Sequence, residues 1–401
     1  MIKKIIGLVW IVALSGTVSG QQSVDYILKA RAFDSQGKPE QAVKVLTEAI
    51  SLSNESSLFI ERAEARLSQR AWSDAISDLN EANKITTASG EFGLARIYAF
   101  KGDAATSLYH LELSMNSSYR KSEKDIMLDP AFGQIENRPE WRQFWKKEWY
   151  SFSEKSISVI EYYISSGMID ESKVALADLK NNAGNQDDII YAEALINLSS
   201  SRYDDAIRAV NSLIAANPAN EKYLRLLAKA QTMTGNAAGA SDTYTRLFTS
   251  GVADAGMLIL RAECYRKTGE NDKAMNDLEK YLSLYPENKT ALSLAGKVEA
   301  VSGDNLKALD YFSRNLKLHP NDADCYVDRA NSYFVSRSWD WAVKDYSMSL
   351  DLNPSNSDAW LNKGIALLNA SKVEDACHDF RKALSLGNKR ASEYVSSNCI
   401  K

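Results

Sequence analysis

Histidine is scarce in this 401-residue chain, with three, and cysteine nearly so, with four. His110, His319 and His378 form no His-Glu-x-x-His, and neither Gly-x-Ser-x-Gly nor a glycine-rich phosphate loop occurs. No zinc-protease helix, nucleophile elbow or phosphate cradle is therefore encoded. Cys377-His378-Asp379 spells a site in letters only, because neighbours on a helix point about 100° apart and do not converge. We expect no catalytic residue, no metal and no cofactor. Positive charge is short as well: 48 Lys and Arg face 52 Asp and Glu, a formal charge of -4. An acidic chain has no surplus of cations to displace phosphate counterions, so nucleic acid is not an expected partner. No apolar run reaches the roughly 20 residues of a membrane-spanning helix, so no stable membrane insertion is expected.

The first residues read MIKKIIGLVWIVALSGTVSGQQ: Lys3 and Lys4, an apolar run from Ile5 to Leu14, then small residues to Gly20. That is the layout of a secretory signal, and we expect residues 1–20 to be removed. The first cysteine is Cys264, so none stands beside the cleavage point to carry a lipid. Losing two lysines and no acid takes the formal charge from -4 to -6. The mature protein is expected to be soluble, in a periplasm or outside the cell.

What the chain has in abundance is recurrence. Ala42, Ala75, Ser107, Ser172, Ala206, Ala240, Ala274, Ala308, Ala342 and Ala376 mark a small-residue position that recurs every 34 residues from Ser172 onward. Twelve residues before each stands Ala30, Ala63, Ala95, Ile160, Ala194, Ala228, Ala262, Gly296, Ala330 or Gly364, small in all but Ile160. Gly37, Gly102, Gly167, Gly235, Gly269 and Gly303 lie five before six of the ten, and Pro218, Pro286, Pro320 and Pro354 close four units. Each unit reads as helix A, a tight reversal, helix B and a stop. The two small positions lie where A crosses B, so Gly364 accepts its helix-propensity cost of about 1 kcal/mol in return for close packing. A single hairpin cannot bury its own apolar face, so the units must stack.

Trp360, Lys363, Gly364, Leu367, Ala376, Phe380 and Ala383 fall in the slots of the tetratricopeptide repeat signature, and 34 residues is that repeat's length. The chain resembles this family over residues 23–117 and 153–386. The resemblance implies an all-α solenoid of about ten hairpins. We expect an N-terminal array of three repeats (23–117), an irregular helical insert (118–152), a second array of seven repeats (153–386) and a capping helix (387–401). Arg70, Ser201, Arg337 and Ser371 depart from the turn glycine.

The insert should hold a short helix up to Met127, a break at Pro130 and a helix after Pro139. On that last helix Trp141, Trp145 and Trp149 fall at i, i+4 and i+8, an aromatic stripe that either plugs the first array or faces outward for docking. Cys377 lies ten residues before the turn at Gly387 and Cys399 twelve after it, so a hairpin brings them level. A disulfide there suits an exported protein; the alternative is two reduced core thiols. Cys264 and Cys325 stand about two repeats apart and are read as structural.

The family resemblance implies that helix A lines the inner face, with four slots per repeat turned into a groove. Those slots hold Lys222, Arg225 and Lys229, then Glu263 and Arg266, then Lys297, then Asn331 and Phe334, then Leu361. Basic in the middle and apolar at the end, they suit an extended segment of matching character; the plain alternative is a solvated face with the last apolar residues packed under the cap. The family's carboxylate clamp is matched only at Asn331 and Asn362 and is not carried over. The expected function is a non-catalytic scaffold of the cell envelope that binds protein or peptide. The alternative is a glycan-binding surface protein using exposed aromatics.

Overall fold

The computed structural model describes residues 15–182 and 184–399. The leader expected over residues 1–20 lies, up to Leu14, outside the described residues. Twenty-three α-helices and one 3-10 turn make up the described structure. Six hairpins precede Ala255: α1 (Ser15–Ser35) with α2 (Pro39–Leu52), α3 (Ser56–Ser68) with α4 (Trp72–Ile85), α5 (Glu91–Phe100) with α6 (Ala104–Met115), then, after the insert α7 (Glu123–Met127) and α8 (Pro139–Phe144), α9 (Phe152–Ser165) with α10 (Ile169–Asn181), α11 (Gln186–Ser199) with α12 (Tyr203–Ala216) and α13 (Glu221–Met233) with α14 (Ala237–Thr249). Four follow: α15 (Gly256–Thr268) with α16 (Asn271–Leu284), α17 (Lys289–Ser302) with α18 (Asn305–Leu318), α19 (Ala323–Val335) with α20 (Trp339–Leu352) and α21 (Ser357–Asn369) with α22 (Val373–Ser385), closed by α23 (Ala391–Asn398). The chain divides into two compact units, the first ending at Ala255 and the second beginning at Gly256.

The crossing points explain the repeat. The B-helix small residues, from Ala42 to Ala376, are all fully buried. A Cβ added to Gly364 would stand 2.6 Å from the Phe380 ring, and one added to Gly296 would stand 2.4 Å from Phe312. Both phenylalanines come from helix B of the same hairpin, so the missing side chain is the space the ring fills. At the ten reversals the backbone enters the left-handed region whether or not glycine is present: Gly303 has φ 89°, but Arg70, Ser201, Arg337 and Ser371 also lie at 55–61°. For a residue with a Cβ that conformation costs roughly 1–2 kcal/mol, so hairpin packing overrides local preference at four turns.

The proline stops work with caps. Asn220, Asn288, Asp322 and Asn356 each accept a hydrogen bond from a backbone N–H of the next A helix, a contact typically worth about 1 kcal/mol. The insert folds as a short helix, a 3-10 turn over Pro130–Gln134 and a second short helix. Its Ile126, Phe132, Ile135, Trp141 and Phe144 join Ala95, Ala99, Leu111 and Met115 in one buried cluster, which seals the third hairpin. In the first unit α1 also packs on α14, and the Arg31 guanidinium donates to the Ala253 carbonyl at 2.5 Å.

Candidate functional site

Within each unit the A helices of successive hairpins touch: α1 with α3, α3 with α5, α9 with α11 and α11 with α13 in the first, α15 with α17 and α17 with α19 in the second. Among the described residues no pair of successive B helices packs to the same extent. The A-helix row is therefore the tighter, inner face of each stack.

On the inner face of the first unit, two of the three expected cations are answered by acids. The Lys222 ammonium sits 3.8 Å from the centroid of the Tyr191 ring and 3.9 Å from Glu161, and burial pushes its pKa down. Arg225 bonds Glu221 at 2.8 Å and Asp254 at 2.9 Å. Lys229 is exposed. The positive character of Lys222 and Arg225 is thus balanced by carboxylates from other slots and from the loop before Ala255.

On the inner face of the second unit, Arg266 and Glu263 form a two-point pair within α15, at 2.8 Å for both bonds, which holds the Glu263 carboxyl below its usual range. Lys297 reaches Asp328 of the next A helix at 3.0 Å. Asn331 is exposed and accepts from the Tyr346 hydroxyl at 2.6 Å, and Asn362 also bonds that hydroxyl. Phe334 is half-buried, edge-on to Trp339. Leu361 corrects the expectation: it is fully buried in a cluster with Phe380 and Ala391, with Tyr394 and Val395 of α23 packed against it. The cap helix covers the slot that an open repeat would leave to a ligand.

Tetratricopeptide repeat profiles match residues 26–56, 191–251, 255–288 and 346–378. Those four stretches are tetratricopeptide repeats. No curated protein matches it in sequence. Among solved structures it is similar to a tetratricopeptide repeat protein from Parabacteroides merdae, at 20% identity and a TM-score of 0.50 over 62% of this chain and 99% of that one. It is also similar to the Cut9–Hcn1 assembly of the APC/C, at 13% identity and 0.46 over 92% of this chain and 89% of that one. YrrB, described as having an unusual peptide-binding site, aligns at 18% and 0.37 over 48% of this chain and 99% of that one. At these identities the likeness concerns the fold.

A regular feature of this repeat protein went unread in its sequence. Arg62, Arg261 and Arg329 each form a two-point salt bridge with the aspartate sixteen residues on, Asp78, Asp277 and Asp345, at 2.6–3.0 Å, and Lys363 meets Asp379 at 3.2 Å. The four aspartates are buried. Each pair ties helix A to helix B one turn from the small-residue crossing. The signal was present: in every repeat with Asp at that B-helix slot, the A-helix slot holds Arg or Lys. The single ammonium of Lys363 compensates less than an arginine fork, and burial pushes the Asp379 carboxyl up. Of Cys377, His378 and Asp379, the first does part from the others, joined to Cys399 with 5.5 Å between their Cα atoms, but the expectation fails for the other two: the ring of His378, exposed beside Trp360, has its Nδ1 3.2 Å from an oxygen of Asp379, whose other oxygen meets Lys363.

The tryptophans of this repeat protein also differ from expectation. The last insert helix stops at Phe144, so Trp149 is not on it and the three-residue helical stripe does not form. Past Phe144 the chain tightens: the Phe144 carbonyl accepts the Lys147 backbone N–H, three residues on, at 3.3 Å and the Trp149 indole N–H at 2.9 Å, in place of the N–H four residues on that a continuing helix would supply. Trp141 is buried, and Trp145 and Trp149 pack half-buried on the same cluster, Trp149 stacked on Phe144 at 4.6 Å. Cys264 and Cys325 are buried, and burial pushes the Cys325 thiol up to about 11.

Proposed function

We propose that this repeat protein is a non-catalytic scaffold of the cell envelope that binds protein or peptide segments along the inner faces of its helix stacks. The observation that carries this reading is the pattern of charge on those faces. Lys222, Arg225, Lys297 and Arg266 all stand at slots that packing does not use, each opposed by a carboxylate close by. Half-exposed ion pairs of this kind contribute little to stability and are easily exchanged for partner groups of either sign. Export is supported by the sequence of residues 1–20 and by the Cys377–Cys399 disulfide, since such bonds persist in oxidising compartments. The test is crosslinking and pull-down of the mature protein from an envelope extract, repeated with Lys222, Arg225 and Lys229 all changed to Glu. Loss of captured protein in the triple variant is expected. An unchanged set of partners would remove the inner face of the first unit from the reading.

A further inference from the structure

The fourth hairpin begins a stack with no helix packed closely in front of it. In interior hairpins the leading face of helix A is covered by helix B of the hairpin before, as α2 covers α3, α10 covers α11 and α12 covers α13. Two slots buried by that contact lie five residues before and two after the crossing residue of helix A: Leu58 and Ala65 in α3, Ile189 and Ile196 in α11, Tyr223 and Ala230 in α13. In α9 the same slots hold Lys155 and Tyr162, and both are exposed. Helix α9 packs on α10 and α11, but not to that extent on α6 or on a helix of the insert.

Phe152, Lys155, Val159 and Tyr162 fall at i, i+3, i+7 and i+10 and so share one face of α9. The three apolar side chains are 46%, 43% and 63% exposed. At Lys155 and Val159 that face borders a cleft of about 630 Å³ whose other wall is the insert, and the lining there is largely polar. Arg120 is paired with Glu154, and Lys222 lies 3.9 Å from Glu161. Of the charged side chains that remain, Lys121, Lys124 and Lys155 outnumber Glu123 and Asp188. A second copy of the chain is a poor complement, because it would have to offer a free trailing face of a B helix. Among the described residues those faces are taken at α6 by the insert, at α14 by α1 and at α22 by α23.

We propose that the leading face of α9 receives an amphipathic helix of another protein, its apolar stripe on Phe152, Val159 and Tyr162 and its acidic residues against Lys121, Lys124 and Lys155. The contact continues the B-to-A packing that the chain repeats within its own stacks, with the partner supplying the helix that the chain leaves out. The polar insert wall then faces the solvated side of that helix. This inference does not rest on the inner-face reading above.

The experiment titrates the mature protein with a helix-stapled peptide carrying the sequence of α12, the helix that fills the equivalent face of α13, with Arg208→Glu to make it more acidic, followed by calorimetry. Saturable binding with a Kd on the order of 100 μM or tighter is expected, and none for a peptide of the same composition with its apolar stripe scrambled. Val159→Glu with Tyr162→Glu, both at exposed positions, should weaken binding by about tenfold or more, and Lys124→Glu with Lys155→Glu by about tenfold, with unchanged melting curves. Absence of saturable binding, or equal binding of the scrambled peptide, overturns the proposal with no variant needed. Equal binding by the Val159→Glu, Tyr162→Glu variant overturns it by placing the peptide elsewhere. Self-association of the wild-type protein that this variant abolishes would make a second copy the occupant and overturns it as well. A chain that captures partners through its inner face yet ignores the peptide overturns this inference alone. One that binds the peptide but captures nothing overturns the scaffold reading alone.

Discussion

The two units use the same hairpin but hold it in different ways. Among the described residues, one hairpin in six before Ala255 carries the buried A-to-B salt bridge, Arg62–Asp78, against three in four after Gly256. The first unit relies instead on contacts between distant parts of its chain: the aromatic cluster of the insert, α1 meeting α14, and Arg31 of α1 bonded to Ala253 in the loop after α14, 222 residues on. The second relies on local pairs and a covalent end, the Cys377–Cys399 bond that fixes α23. The difference teaches that a repeat sequence specifies how one helix meets the next, while anything longer in range needs residues outside the repeat.

Breaking one side of that comparison should have its largest effect in the second unit. Asp277→Ala removes the buried carboxylate that takes two bonds from the Arg261 guanidinium and should lower the stability of its hairpin by about 3–5 kcal/mol, read by urea denaturation and hydrogen exchange. Arg261→Met combined with Asp277→Leu should recover most of the loss, since the charge and its partner leave together; failure to recover would show that the pair is required for packing as well as for compensation. Next in size, Cys399→Ser opens a loop spanning 22 residues and should cost about 3 kcal/mol. Hydrogen exchange should place the loss in α22 and α23, with helices α1 to α14 unchanged. Smallest is Arg31→Ala in the first unit. It removes bonds to Ala253 and Glu61 from a half-exposed side chain and should cost about 1 kcal/mol. Its clearer readout is a shorter crosslinker yield between α1 and α14, because closure, not hairpin folding, depends on it.

Much of this was legible in the sequence for a physical reason. Two helices crossing closely leave no room for a side chain, so the need is written as alanine, serine or glycine at fixed spacing, and Ala42 through Ala376 all prove to be crossing points. Arg337 and Ser371 could be placed at reversals because their neighbours demanded a turn there, and their φ values of 55° and 61° show that demand prevailing over their own preference. What could not be read depends on contacts between segments. Leu361 occupies an inner slot of its repeat, but only the docking of α23 decides that it is covered. Trp149 continues the i+4 series on paper, yet the helix ends at Phe144, whose carbonyl accepts the Lys147 N–H and the Trp149 indole N–H. The Arg–Asp pairs stood in plain view sixteen residues apart, a spacing that becomes meaningful only once the hairpin folds it into contact. The meeting of α1 with α14 leaves no repeating mark, because it arises from the accumulated turn of six hairpins and the insert between them.

The covered end has a consequence for how long such a protein can be. Every module in a stack presents to the next the surface by which it grips the previous one, so nothing within a module tells growth to stop, and an uncovered terminus would accept another molecule head to tail. By folding α23 over Leu361 and Leu367 and tethering it through Cys399, the chain turns its last adhesive face into an inert one. The eight residues of α23 thus occupy the face on which a further hairpin of the same kind would stack.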